Sequence, residues 1–491
     1  MIINGIFLPF PLFVLSVGTM LLLASVTLNR SSRLSFSLGL LTLVLATMMT
    51  YYHAPIMPLA ATQTLFVADT WADYTAALIL LSTSCIFILS WQDVTQRSAR
   101  SADEYALLLL LGALGATAMV FSVNYMPFFL GVEILSIALI GLVTFRSRHT
   151  QKGLEAAMKY LILSGVSSAI LLFGIGLSYS VTGSLVFEFS TAGHETGTGI
   201  AAAASIMVLS GIFFKLSAVP FHMWILDVME GASVPIAGFI AVVPKIGIFS
   251  ALVRYFGSEP VTPFLHNTMS AIIILTILGG NLLALCQTNL IRLMACSSIA
   301  HVGYLLIAFY SPGHFQSDTM VLYLAAYTAA TLGTFSIIQA FVSPEGLQRS
   351  TISDWKGLFF THPSLAVAMT AMLLSLAGIP PTIGFFAKFE IAASGLEQRH
   401  YVLLTALIVG SIIALYYYLN IIRLMTTPNT SLNIGQNEKK NLTIYSAVFI
   451  LTLIVFIGGI FPSFFMNSIH PALPPTRPGY IQSHIPLPSG S

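Results

Sequence analysis

The 491-residue chain is 56% apolar and only 8% charged, where a soluble domain carries about a quarter of its residues charged. So few charges cannot cover a water-exposed surface of this size, which excludes a soluble enzyme and leaves a protein dissolved in lipid. The net charge of +2, with no basic block, excludes nucleic acid as a partner.

Apolar stretches of roughly 20 residues, the length that crosses a bilayer, follow one another along the whole chain. The first, 6–28, has no Lys or Arg before it, so it reads as a span and not a cleavable leader. Next come 34–52, 72–90 and 104–122, then 125–145, which carries Glu133 in MPFFLGVEILSIALIGL. The sixth span, 153–180, holds Lys159 near its start. The seventh, 200–229, reads SGIFFKLSAVPFHMWILDVMEG and holds Lys215, Pro220 and His222, with Asp227 and Glu230 at its end. Lys245 lies in the eighth (233–255), directly after Pro244. The ninth is 265–288, and the tenth (290–310) carries His301. After 319–342, the twelfth span (362–398) contains LSLAGIPPTIGFFAKFE, with Gly378, Pro380, Pro381 and Lys388. Spans at 402–425 and 443–466 precede a Pro-rich tail that reads as irregular. The fold class is therefore all-α and polytopic, with about 14 transmembrane helices and both termini on one side.

Loops after odd-numbered spans contain thirteen Lys and Arg. Those after even-numbered spans, with the tail, contain three: Arg254, Arg399 and Arg477. The positive-inside rule puts the odd loops in the cytoplasm and both termini outside. Of the twenty basic residues this leaves Lys159, Lys215, Lys245 and Lys388 within spans, where each costs about 2.5–3.5 kcal/mol at mid-bilayer. Lys159 is near enough to an end to snorkel; Lys215, Lys245 and Glu133 lie well inside their spans. Lysine suits a proton path because burial destabilises its charged form and a nearby carboxylate restores it. His222 and His301 are candidate relays, since imidazole titrates near neutrality, although a lone buried histidine is as often a hydrogen-bonded core residue.

Proline lacks an amide donor and clashes with the carbonyl four residues earlier, so spans seven and twelve should be broken. In the twelfth, Gly378 to Thr382 should be non-helical and the carbonyls near Leu376 and Ala377 should lose their helical partners. Lipid offers such groups nothing, and Lys388, two turns on, should face inward close to them. If spans four to eight and nine to thirteen are two halves, each break falls in the fourth helix of its half, a pattern that points to inverted repeats. Cys85, Cys286 and Cys296 lie singly in apolar runs, without the spacing of a metal or cluster site, and no phosphate-binding glycine loop is present. The chain itself should hold no cofactor and no metal.

Three stretches in order, FKLSAVPFHMWILDVMEGASVPIAGFIAVVPKIGIF (214–249), NLIRLMACSSIAHVGY (289–304) and LSLAGIPPTIGFFAKF (374–389), resemble the antiporter-like subunits of respiratory complex I, the NADH-quinone oxidoreductase, and best its subunit N branch. The resemblance covers the whole span pattern. It implies three N-terminal helices (1–103), a first five-helix repeat (104–256), a second, inverted repeat (257–426), and a last helix with the tail (427–491). It also implies a proton-translocating role with Glu133 and Lys215 as a coupled pair, Lys245 as the central carrier and Lys388 toward the outer side. FMN, iron–sulfur clusters and quinone would belong to partner subunits, among them antiporter-like paralogues, in a bacterial inner membrane. A gradient-driven cation/proton antiporter subunit and a membrane scaffold are the alternative readings. The chain departs from the family pattern at Pro244, which should loosen the eighth helix, at Ile291, where relatives tend to be basic, and at Glu390, where an aromatic is expected.

Overall fold

A computed structural model describes residues 2–3, 6–7, 9–28, 30–51, 65–97, 102–147, 151–187, 198–256, 263–309, 317–342, 350–397, 399–428 and 442–462. The irregular tail expected after Met466 lies outside them. The N-terminus starts with a two-residue antiparallel pair, β1 (Ile2–Ile3) and β2 (Ile6–Phe7). The first helix consequently begins at Phe10 and not at Ile6, with Pro11 in its first turn, where a missing amide donor costs nothing. The helices in order are α1 (Phe10–Leu28), α2 (Ser32–Met49), α3 (Thr70–Arg97), α4 (Ala102–Phe121), α5 (Tyr125–Ser147), α6 (Gln151–Thr182), α7 (Thr198–Leu216), α8 (Met223–Gly231) and α9 (Val234–Phe256). Then follow α10 (Pro263–Leu285), α11 (Leu290–Ala308), α12 (Ser317–Ala340), a 3-10 turn at Ile352–Trp355, α13 (Leu358–Thr361), α14 (Pro363–Ala377), α15 (Ile383–Glu397), α16 (Tyr401–Thr426) and α17 (Leu442–Ile460).

Thirteen of the described helices are long and apolar enough to cross a membrane. The fourteenth crossing is assembled from two short ones, α14 and α15. Burial sorts the helices by depth in the bundle. α9 is enclosed over its whole span and α11 and α12 over nearly all of theirs, whereas α1, α2, α6, α10 and α17 present most of their surface outward. Large apolar side chains on those outer faces, such as Met20, Ile162, Phe173 and Phe449, suit lipid and would be unstable in water. A lysine on α9 therefore has no lipid interface to snorkel to.

Both expected breaks are present, and they end their first halves alike. α7 stops at Leu216, where Ser217 takes positive φ, its amide bonds the Phe214 carbonyl and that of Ala218 bonds the Phe213 carbonyl. α14 stops at Ala377, where Gly378 takes φ +83°, its amide bonds the Ser375 carbonyl and that of Ile379 bonds the Leu374 carbonyl. This is the same capping pattern twice, and it satisfies two of the carbonyls that a helix end leaves open. Gly458 and Gly459 of α17 lie against Ile383 and the Pro381 backbone, closing the second break from outside.

Two expectations need correction. Pro244 does not open α9, which is helical without interruption from Val234 to Phe256; a helix packed on all sides is held by its neighbours even where one backbone bond is missing. Arg254 is not a loop charge. It lies in the last turn of α9, buried, with its guanidinium 2.7 Å from Asp69 at the start of α3.

Candidate functional site

The mid-span lysines lie on three different elements and, among the described residues, donate only to neutral oxygens. Lys215, at the end of α7, donates to Ser136 Oγ on α5 and Ser164 Oγ on α6, both at 2.7 Å. Lys245, midway along α9, donates to the Ser298 carbonyl of α11 at 2.9 Å, with the Tyr327 hydroxyl of α12 at 3.5 Å. Lys388, on α15, reaches back across the break to the Leu376 and Ala377 carbonyls, each at 2.9 Å. Those are the last two carbonyls of α14, the ones that the capping amides do not use. The residues 378–382 are non-helical, and Lys388 faces inward as the two prolines require. All three side chains are buried, and among the described residues none forms an ion pair with a carboxylate.

Glu133 stands one turn before Ser136 on α5. Its Oε1 is buried and has no hydrogen-bond partner, and the carboxylate forms no ion pair with Lys215, whose ammonium goes to Ser136 and Ser164. The expected pair is thus not joined directly: Ser136, which receives the lysine, donates to the Val132 carbonyl and not to Glu133. A small cavity lined by Ser136, Tyr160, Lys215, Trp224 and Pro244 leads from Lys215 to the residue next to Lys245. A second, lined by His301, Tyr323, Tyr327, Ser375 and Lys388, lies between the sites of Lys245 and Lys388. His301 Nδ1 is 2.7 Å from the Tyr323 hydroxyl, and its ring contacts Tyr304 and Tyr327. His301 thus joins the interior line of polar groups. His222 sits at the N-cap of α8, half-buried, and bonds none of the lysines.

Lys159 belongs elsewhere. It is partly exposed and paired at 2.7 Å with both Glu155 and Asp227. Asp227 and Glu230, at the end of α8, are both held by Arg292 of α11, at 2.9 and 2.7 Å. Lys152 and Asn289 add bonds to Glu230. An ion-pair cluster thus ties α6, α8 and α11 together at one end of the broken helix. Ile291, in the place of an expected basic residue, is buried beside Arg292. Glu390 is half-buried.

Sequence reasoning missed the hydroxyls. Ser136, Ser164, Tyr323 and Tyr327 carry no charge, and the span holding the two tyrosines has no charged residue within its buried length. Their 3- and 4-residue spacings, Glu133 to Ser136 and Tyr323 to Tyr327, place them on one helix face and were the available signal.

Residues 122–414 match the family described as NADH:quinone oxidoreductase/Mrp antiporter, TM. The chain is 34% identical over 472 residues to NADH-quinone oxidoreductase subunit N of Ectopseudomonas mendocina (strain ymp), covering 94% of this chain and 95% of that one. It is 37% identical over 478 residues to subunit N of Methylococcus capsulatus, covering 95% of each. Among solved structures it resembles a chain of respiratory complex I from Thermus thermophilus, with TM-score 0.79 and 27% identity over 94% of this chain and 99% of that one. A chain of the Mrp complex from Dietzia sp. DQ12-45-1b shares the fold, with TM-score 0.80 at 19% identity over 94% of this chain and 95% of that one.

Proposed function

Because the chain belongs to the NADH-quinone oxidoreductase subunit N family, we propose that it is a proton-translocating membrane subunit of such an oxidoreductase. The observation that carries the reading is the set of three buried lysines that, among the described residues, are bound only by neutral oxygens. A buried ammonium locked to a carboxylate stays charged; one held by hydroxyls and carbonyls can release its proton without stranding a fixed counter-charge.

Protons enter at Lys215, move to Lys245 and leave through Lys388. Glu133, without contact, acts on Lys215 through space, and His301 with Tyr323 and Tyr327 spans the interval before Lys388. Lys159 and His222 stand outside this line: Lys159 is held in the ion-pair cluster with Asp227, and His222 lies at the start of α8, beyond the first break. The identical capping of α7 and α14 supports the division into repeats at 104–256 and 257–426. The loop charge bias, which sharpens once Arg254 is removed from the even loops, supports cytoplasmic odd loops and outer termini in a bacterial inner membrane.

Moving one proton against 100 mV requires about 2.3 kcal/mol. The sequence offers no redox centre to supply it, so FMN, iron–sulfur clusters and quinone are assigned to partner subunits, with antiporter-like paralogues alongside this chain in the membrane. Purifying the tagged chain with its native partners tests this. The expected complex contains flavin and iron–sulfur clusters, oxidises NADH with quinone, and acidifies one side of a vesicle as it does so. A complex without redox centres that exchanges cations for protons contradicts it and favours the antiporter reading.

A further inference from the structure

Each of the three buried lysines lies over a tyrosine ring. The distance from Nζ to the ring centre is 5.9 Å for Lys215 and Tyr160, 5.6 Å for Lys245 and Tyr327, and 4.9 Å for Lys388 and Tyr304. Within about 6 Å the electron-rich face of an aromatic ring attracts a cation, most strongly where water is excluded. The third pair is the closest and chemically the simplest. Tyr327 also offers its hydroxyl to Lys245, whereas the Tyr304 hydroxyl is occupied by the Asn281 side-chain amide at 3.0 Å. Tyr417 holds the other end of that amide at 3.2 Å. Gly410 lets the hydroxyl approach closely, since a Cβ there would lie 2.8 Å from it. The ring is therefore fixed at its polar end. On the lysine side, two of the three ammonium donors go to the Leu376 and Ala377 carbonyls, and a Cβ on Gly378 would come within 2.8 Å of the Lys388 Cδ, so the stem lies tight against the break.

We propose that Tyr304 is a positioning residue for Lys388: anchored by Asn281, its ring face holds the ammonium over the second break in the place of a carboxylate counter-ion. A carboxylate there would oppose loss of the proton, whereas a ring stabilises the cation and carries no charge of its own when the lysine becomes neutral. The inference rests on the proton-carrying role of Lys388 proposed above.

Proton pumping per electron, measured on purified complexes reconstituted in vesicles, tests it with four variants. Lys388→Met sets the loss attributable to the lysine. Tyr304→Leu is expected to reproduce most of that loss, Tyr304→Phe to restore pumping to the wild-type level, and the Tyr304→Leu, Lys388→Met double variant to be no worse than Lys388→Met alone. Rescue by phenylalanine separates the ring from the hydroxyl, and the double variant separates action through Lys388 from general loosening. If Tyr304→Leu does not assemble, Tyr304→Met, unbranched and adaptable, takes its place. Normal pumping by assembled Tyr304→Leu beside a defective Lys388→Met overturns the positioning role alone, as does a Tyr304→Phe variant as impaired as Tyr304→Leu. Normal pumping by Lys388→Met overturns the proton role itself and this inference with it.

Discussion

The two broken spans solve the same backbone problem with the lysine on opposite sides of the break. At the first, Lys215 precedes the break and its ammonium leaves sideways to Ser136 and Ser164. The indole of Trp224, from the second half-helix, donates to the Phe214 carbonyl at 2.9 Å, which the Ser217 amide also uses, and among the described residues the lysine makes no bond to its own helix end. At the second, Lys388 follows the break and itself binds the two open carbonyls. A buried carboxylate, Glu133, stands one turn from the serine that receives the first lysine; the second lies closer to its tyrosine ring than the first does. The lesson is that the first lysine is free of any structural duty to its own helix end, while the second is also a cap.

That difference should appear first in stability. Lys388→Ala leaves two buried carbonyls without partners, at about 1–3 kcal/mol each. Lys215→Ala leaves two serine hydroxyls, of which Ser136 already donates to the Val132 carbonyl of its own helix at 2.6 Å. The detergent-solubilised Lys388→Ala complex should therefore lose this subunit at a lower temperature than Lys215→Ala, as followed by thermal scanning and native gels. Equal melting of the two variants would remove the capping role from Lys388.

A smaller effect sharpens the electrostatic half of the comparison. Glu133→Gln and Lys215→Met should be non-additive in their effect on pumping, by about 0.5–3 kcal/mol when expressed as free energy, because they share one local network. Glu133→Gln with Lys388→Met should be additive in the melting temperature of the assembled complex, since among the described residues the carboxylate has no contact with the second break. Additivity in both cycles would detach Glu133 from Lys215.

Much of the second break was legible in the sequence, and the reason is arithmetical. Two prolines lack donors, so the carbonyls one turn earlier are open, and a lysine two turns on is the group able to reach them. The first break was legible as a break but not in its partners. A serine in a membrane helix usually bonds its own carbonyl four residues back, as Ser90 does to Ile86, so nothing in the sequence marks Ser136 and Ser164 as receiving a lysine from α7, 79 and 51 residues away. Arg254 was misread for a related reason. A basic residue near the end of an apolar run looks like a loop charge, and its partner Asp69 lies 185 residues earlier. The ion-pair cluster at α8 depends likewise on Arg292 arriving from another helix, with each acid taken alone resembling an ordinary interfacial residue.

The central claim is that the buried lysines carry protons, and Lys245 tests it most directly. It lies on the most enclosed helix, has no carboxylate partner among the described residues, and caps no helix end, so its removal separates transport from structure better than that of the other two. In an assembled Lys245→Ala complex reconstituted in vesicles, the proton-to-electron ratio measured during NADH oxidation should fall, and the oxidation rate with it where coupling is tight. A wild-type ratio in that complex would contradict the account.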